Sequence, residues 1–154
     1  MIELEGKHDI WKFHGEGHYI VIPINGSINT YRENVMGRGL ALQAKRRYNE
    51  LPAITARCIA VRGLQVFEMS ILTLFMFPTK FAWKYDSDIG LIRRSCLQLQ
   101  EIADSWSNIK HHDWSIKKIY MPRVGCGNGN LNWNDVSLIL DEILDDRFIV
   151  VEDK

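Results

Sequence analysis

Four short, almost wholly apolar runs, Tyr19–Ile24, Ile71–Phe77, Ile119–Met121 and Phe148–Val151, alternate along the chain with amphipathic helical patterns. This alternation restricts the fold more than any other feature. The runs are rich in β-branched and aromatic residues and mostly end at proline, glycine or polar residues, so they read as strands. They do not alternate apolar with polar, which calls for cover on both faces of a sheet. Ile2–Leu4, Ile10–Phe13 and Gln65–Phe67 are weaker strand candidates. Leu40–Tyr48 carries strong helix formers, and a shorter helix is expected from Pro52 to Cys58. Ile89, Ile92, Cys96, Leu99, Ala103 and Trp106 recur at steps of three and four, one apolar stripe on a helix with its N-cap expected at Asp86 or Ser87. Val136, Ile139, Leu140, Ile143 and Leu144 repeat the pattern. Over 154 residues this predicts one α/β layered domain spanning 1–154, long enough to bury a full core.

Charge narrows the partners. Lysine plus arginine and aspartate plus glutamate both total 19, a formal charge of zero. A protein that grips long nucleic acid carries a basic excess, so any contact with nucleic acid is expected to be short and local. The clusters Lys45-Arg46-Arg47 and Lys117-Lys118 read as solvated faces. Cys58, Cys96 and Cys126 are odd in number, widely spaced and without a CxxC, which argues against a disulfide framework or a zinc site. His111-His112-Asp113 lacks metal-ligand spacing, and no metal is expected. The N-terminus has no apolar signal region, and the longest strongly apolar run, Ile71–Pro78, is too short to span a bilayer. These features predict a reduced, cytoplasmic protein without membrane association.

Two glycine-rich stretches carry the chemistry. In the first, a strand ends at Pro23-Ile24, a polar loop follows, and Met36-Gly37-Arg38-Gly39 runs into a helix. Gly37 and Gly39 let backbone N–H groups approach an anion, and the helix N-terminus adds free N–H groups and its dipole. In the second, Pro122–Trp133 (PRVGCGNGNLNW), the glycines Gly125, Gly127 and Gly129 alternate with Cys126 and Asn128 between a strand and a helix. Alternating glycines can form a nest of N–H donors. Two such loops, each between a strand and a helix, point to a diphosphate ligand at the carboxyl ends of the strands. No GxxxxGK[ST] occurs, and the Gly37-Arg38-Gly39 loop lacks the third Rossmann glycine, so neither a P-loop nor a dinucleotide fingerprint is present.

Asn25 after a strand, MGRGLALQAK (Met36–Lys45), FPTK (Phe77–Lys80) and PRVGCGNGNLNW, in that order over nearly the whole chain, resemble the macrodomain family. The likeness is strongest to its ADP-ribosyl glycohydrolase branch, which includes the antitoxin macrodomain acting on ADP-ribosylated thymidine in DNA; the terminal ADP-ribose protein glycohydrolase of animals is also similar. The resemblance implies a three-layer α/β/α fold with a mixed central sheet and ADP-ribose in a cleft across its top, with no cofactor. Lys7-His8-Asp9-Ile10 stands where the family often has lysine-glycine-aspartate-isoleucine, so Asp9 would bind the adenine amino group beside Ile10. Asn25 would contact the distal ribose. Met36, Gly37 and Gly39 would line one side of the cleft, and Gly125, Cys126, Gly127, Asn128 and Gly129 would hold the diphosphate and distal ribose.

By the same resemblance Lys80 attacks the anomeric carbon of the distal ribose or stabilises charge there. A lysine ending a buried strand at an apolar cleft suits nucleophilic chemistry. The animal enzyme adds an aspartate from the second loop, but Gly125–Gly129 contains no acid, which matches the antitoxin type. Cys126 has no histidine obviously placed to activate it and reads as a small structural cysteine. Trp83 can stack on a base or serve as a core or lid residue. Trp133 is expected to pack beneath the second loop. The implied activity is removal of ADP-ribose from a modified target, DNA thymidine or protein, with a short single-stranded DNA contact through residues such as Lys84 and Arg123. The alternatives are a non-catalytic ADP-ribose reader and an ADP-ribose 1″-phosphate phosphatase.

Overall fold

The computed structural model describes residues 1–106 and 118–154. The elements run β1 (Ile2–His8), α1 (Ile10–Gly15), β2 (Tyr19–Asn25), α2 (Gly39–Arg47), α3 (Leu51–Arg62), β3 (Phe67–Met69), β4 (Leu74–Lys80), α4 (Ile89–Trp106), β5 (Ile119–Pro122), α5 (Trp133–Ile143) and β6 (Phe148–Asp153). The six strands form one sheet in the order β1-β6-β5-β2-β4-β3. All neighbours pair parallel except the edge strand β3, which is antiparallel to β4.

The central strands β2 and β4 are apolar over almost their whole length because both faces are covered. Tyr19, Val21, Phe75, Phe77, Ile119 and Phe148 point into one core, under the stripe of α4 and under Val136 and Leu140 of α5. Ile20, Ile22, Ile24, Leu74 and Met76, one residue out of step, point into the other with Ile10 and Trp11 of α1, Ala44 of α2 and Leu51 of α3. The sheet is therefore the middle of three layers, α/β/α, as expected. Among the described residues no helix is long and apolar enough to cross a membrane.

Several boundaries differ from expectation for local reasons. Ile10–Phe13 is helical, because Asp9 caps it: its carboxylate accepts the Trp11 N–H at 3.0 Å. The strand expected from Ile71 begins only at Leu74; Ser70–Leu72 form a 3₁₀ turn, Ile71 is 97% exposed, and Thr73 turns the chain with a φ of 53°. Residues Gln65 and Val66 precede β3 rather than start it. The short helix expected from Pro52 extends over Leu51–Arg62, since proline is tolerated in a first turn. The cap of α4 is Asp88, whose Oδ1 accepts the Leu91 N–H at 2.9 Å, rather than Asp86 or Ser87. Lys117 and the His111-His112-Asp113 triplet lie outside the described residues.

Candidate functional site

Five parallel strands end on one edge of the sheet, and their last residues, His8, Asn25, Lys80, Pro122 and Asp153, all line a single cavity of about 840 Å³. Such a crevice at the carboxyl ends of parallel strands is where open α/β sheets place ligands, and its volume suits one small organic ligand. Asn25 of β2 and Lys80 of β4 are paired across the ladder, after a register shift that follows Ile24.

The first loop is held by Asn25. Its Nδ2 donates to the Val35 carbonyl at 2.8 Å, and its Oδ1 accepts the Ser27 N–H at 2.9 Å. The buried Asn34 donates to the carbonyls of Asn25 and Ser27, both at 2.9 Å. Asn25 is thus largely occupied in shaping the loop, with one N–H left for a ligand. The loop ends at Gly39, the first residue of α2, where an added β-carbon would stand 3.5 Å from Asn128 Nδ2. The two glycine loops therefore face each other at close range.

The glycines of the second loop divide into two kinds. Gly125 has a φ of 77°, and a β-carbon there would come within 2.7 Å of Ile92 Cδ1. A β-carbon on Gly129 would collide with Ser87 Oγ and the Gly125 carbonyl. These two are glycines because the fold has no room. Gly127, like Gly37 across the cavity, has nothing within 4 Å of where a β-carbon would stand, and neither has a positive φ. Neither packing nor backbone conformation requires glycine at these two positions. Both line the cavity, so what their bare backbones leave is open space within it.

Lys80 joins the two halves. From the end of β4 its Nζ donates to the Asn128 carbonyl at 3.1 Å, which holds the amine against the second loop. Thr79 beside it is buried, its hydroxyl 3.4 Å from the Ile24 carbonyl. The loop backbone is further tied to the segment after β4 by Ser87 N–H to the Gly129 carbonyl at 3.0 Å and Asn130 Nδ2 to Asp86 at 2.7 Å.

Of the residues expected at the ligand, Ile10, Asn25, Gly37, Gly39, Lys80, Gly125, Cys126, Gly127, Asn128 and Gly129 all line this cavity. Two do not. Met36 is 2% exposed and packs in the core beneath α2. Asp9 is exposed beside the lining residues His8 and Ile10, with one carboxylate oxygen on the cap of α1. Cys126 is half-buried, and burial pushes its thiol above the ordinary value despite Arg123 nearby, which disfavours the thiolate. Trp133 donates to Glu3 at 2.7 Å and lies under the Arg123 guanidinium, which also pairs with Glu152 at 3.3 Å. Arg38, Tyr85 and Ser87 line the cavity without having been singled out as ligand residues. Arg38 had a signal in its place between the two glycines of Met36–Gly39; Ser87 is brought in only by tertiary folding. Among the described residues no group of three or more histidine, cysteine or acidic side chains is placed to hold a metal ion.

Against solved structures the chain superposes on the macrodomain of Mycobacterium tuberculosis DarG with a TM-score of 0.74 and 24% identity, over 99% of this chain and 98% of that one. The chain has the macrodomain fold. The macrodomain also matches Thermosipho africanus DarTG, solved in complex with ADP-ribose, at a TM-score of 0.69 and 20% identity over 89% of this chain and 38% of that one. By sequence it is 26% identical over 133 residues to a Mycobacterium tuberculosis protein named DNA ADP-ribosyl glycohydrolase, and 26% identical over 139 residues to a Thermus aquaticus protein of the same name. The matches take in 80% and 84% of the macrodomain, which spans 36% of the length of each relative. No protein-family profile matches. Sequence and fold are thus both similar to DarG macrodomains and to the proteins named DNA ADP-ribosyl glycohydrolase.

Proposed function

We propose that this macrodomain binds ADP-ribose along the cavity and hydrolyses the bond joining ADP-ribose to a base in single-stranded DNA, with Lys80 acting at the anomeric carbon. The observation that carries this reading is the position of Lys80, at the strand end paired with Asn25 and hydrogen-bonded to the glycine loop at Asn128. Adenine would lie toward His8 and Ile10. The diphosphate would cross between Gly37 and Gly127, where both loops leave open space in the cavity. The distal ribose would then rest beside Asn25 and Lys80. The names of the relatives support the reaction class and the nucleic-acid target.

The Lys80 amine attacks C1″ with its lone pair as the bond from C1″ to the base nitrogen breaks, and the departing base takes up the proton that the alkylated nitrogen gives up. Water then displaces the amine, giving free ADP-ribose and restoring the lysine. The hydrogen bond to Asn128 fixes where the amine sits, which supplies part of the barrier reduction as orientation. No acid lies within Gly125–Gly129 to share the work.

The test is parallel incubation with ADP-ribosylated thymidine DNA, ADP-ribosylated protein and ADP-ribose 1″-phosphate. Release of ADP-ribose from the DNA is the expected result. Binding of ADP-ribose without release from any substrate would make the domain a reader, and release of inorganic phosphate would make it a phosphatase.

A further inference from the structure

Three of the four exposed large aromatic side chains among the described residues, Phe81 (54% exposed), Trp83 (59%) and Tyr85 (56%), lie in the segment that begins directly after Lys80. Exposed rings grouped in this way mark an interaction surface, because apolar area is otherwise driven from water. Trp83 and Tyr85 line the cavity itself.

The segment is not a loose loop. The Trp83 N–H donates to Ser27 Oγ at 3.0 Å, and the Tyr85 N–H to the Ala82 carbonyl at 3.2 Å. At its start the Phe81 carbonyl packs so close to Gly26 that a β-carbon there would stand 2.6 Å away. At its end Asp86 accepts Asn130, and the Asp88 N–H donates to the Thr79 carbonyl at 2.9 Å. The backbone is ordered while the rings it carries remain in water, so a ligand would meet rings already in place.

Basic side chains stand at this wall of the cavity beside Asp86, whose carboxylate is taken up by Asn130. Lys84 sits between the two rings in sequence, its Nζ 5.3 Å from the Tyr85 ring centroid, and Arg38 stands at the cavity wall. Among the described residues neither has an acidic partner. Exposed rings with a lysine against one of them, at a cavity wall that also carries Arg38, fit a short stretch of nucleic acid better than an apolar protein surface. The formal charge of the chain is zero, so the grip on a strand must come from base stacking more than from phosphate attraction.

We propose that Trp83 and Tyr85 form a stacking platform for the bases that flank the modified nucleotide, with Lys84 against the adjacent phosphate. The inference rests on the DNA glycohydrolase reading. It adds that the domain recognises the strand as well as the ADP-ribose, and that an ADP-ribosylated nucleoside without neighbours is a poor substrate.

The experiment uses the full chain carrying Lys80→Ala, so that substrate stays intact, with and without Trp83→Ala. Two probes are titrated: a fluorescein-labelled single-stranded oligonucleotide carrying one ADP-ribosylated thymidine, read by anisotropy, and ADP-ribose itself, read by calorimetry. The parent should bind the oligonucleotide more tightly than ADP-ribose. Trp83→Ala should weaken the oligonucleotide by about tenfold or more, the scale of one lost stack, and weaken ADP-ribose clearly less. Trp83→Phe should restore part of the loss. Equal loss on both probes would place Trp83 in the ADP-ribose pocket and overturn the platform, as would an oligonucleotide affinity that is indifferent to Trp83 or no better than that of ADP-ribose. Turnover by wild type separates the two readings. An inactive wild type with Trp83-dependent strand binding overturns the glycohydrolase and keeps the platform; an active one with Trp83-independent binding does the reverse.

Discussion

Gly127→Glu separates a glycine kept for a ligand from one kept for the fold. A β-carbon at Gly127 meets nothing within 4 Å, and the residue has no positive φ. The substitution therefore adds no strain, and loss of glycine's freedom in the unfolded chain favours folding by about 0.4–1 kcal/mol. The melting temperature should stay level or rise slightly. Binding should collapse, because the new carboxylate enters the space where the diphosphate would lie. Two unit charges about 4 Å apart at an effective dielectric near 20 repel by about 4 kcal/mol, which is close to a thousandfold in affinity. Gly129→Ala is the contrast: its β-carbon meets Ser87 Oγ and the Gly125 carbonyl, so the backbone must shift. That should cost about 1–3 kcal/mol of stability, or several degrees in a domain of this size. Differential scanning calorimetry reads the fold, and titration calorimetry with ADP-ribose reads the site. A well-folded Gly127→Glu protein that binds ADP-ribose like wild type would refute the placement of the diphosphate.

Lys80→Ala should keep ADP-ribose affinity within about tenfold while lowering single-turnover release by about a hundredfold or more, as expected for a group acting mainly in the transition state. Lys80→Arg should fail as well, since a guanidinium retains the charge but offers no lone pair; an active arginine variant would replace nucleophilic attack with charge stabilisation. ADP-ribose should bind far more tightly than adenosine if both glycine loops hold the diphosphate, and equal affinities by calorimetry would remove the loops from recognition. Away from the site, Arg147 hydrogen-bonds Asp145 and holds its carboxyl well below the usual range. A depressed carboxyl contributes stability that is complete above about pH 4 and fades as the pH falls further. The pair is partly exposed, so Arg147→Ala should cost no more than about 1 kcal/mol near neutrality, with the difference from wild type closing in acid; a gap in melting temperature that widens in acid would contradict this.

The sequence by itself determines the layered architecture. Tyr19–Ile24 and residues 74–77 are apolar at every position, and a strand of that composition is stable only with both faces covered. The stripe Ile92, Cys96, Leu99, Ala103 and Trp106 specifies the helix that covers one face. The two glycine stretches are also legible, because each stands between a strand and a helix. Single-residue roles are less so. Asp9 and Asp88 are helix caps, and a cap is recognised by which N–H its carboxylate meets, a matter of one or two residues that periodicity does not resolve. Met36 sits beside Gly37 in the chain yet is buried in the core, next to Val35, whose carbonyl accepts from Asn25. Only the tertiary structure brings Lys80 to Asn128, 48 residues away, and distinguishes the glycines held by packing from those that leave space. Parallel pairing is the cause: it sets the carboxyl ends of β1, β2, β4, β5 and β6 on one edge, and a local sequence pattern does not encode which strands lie side by side.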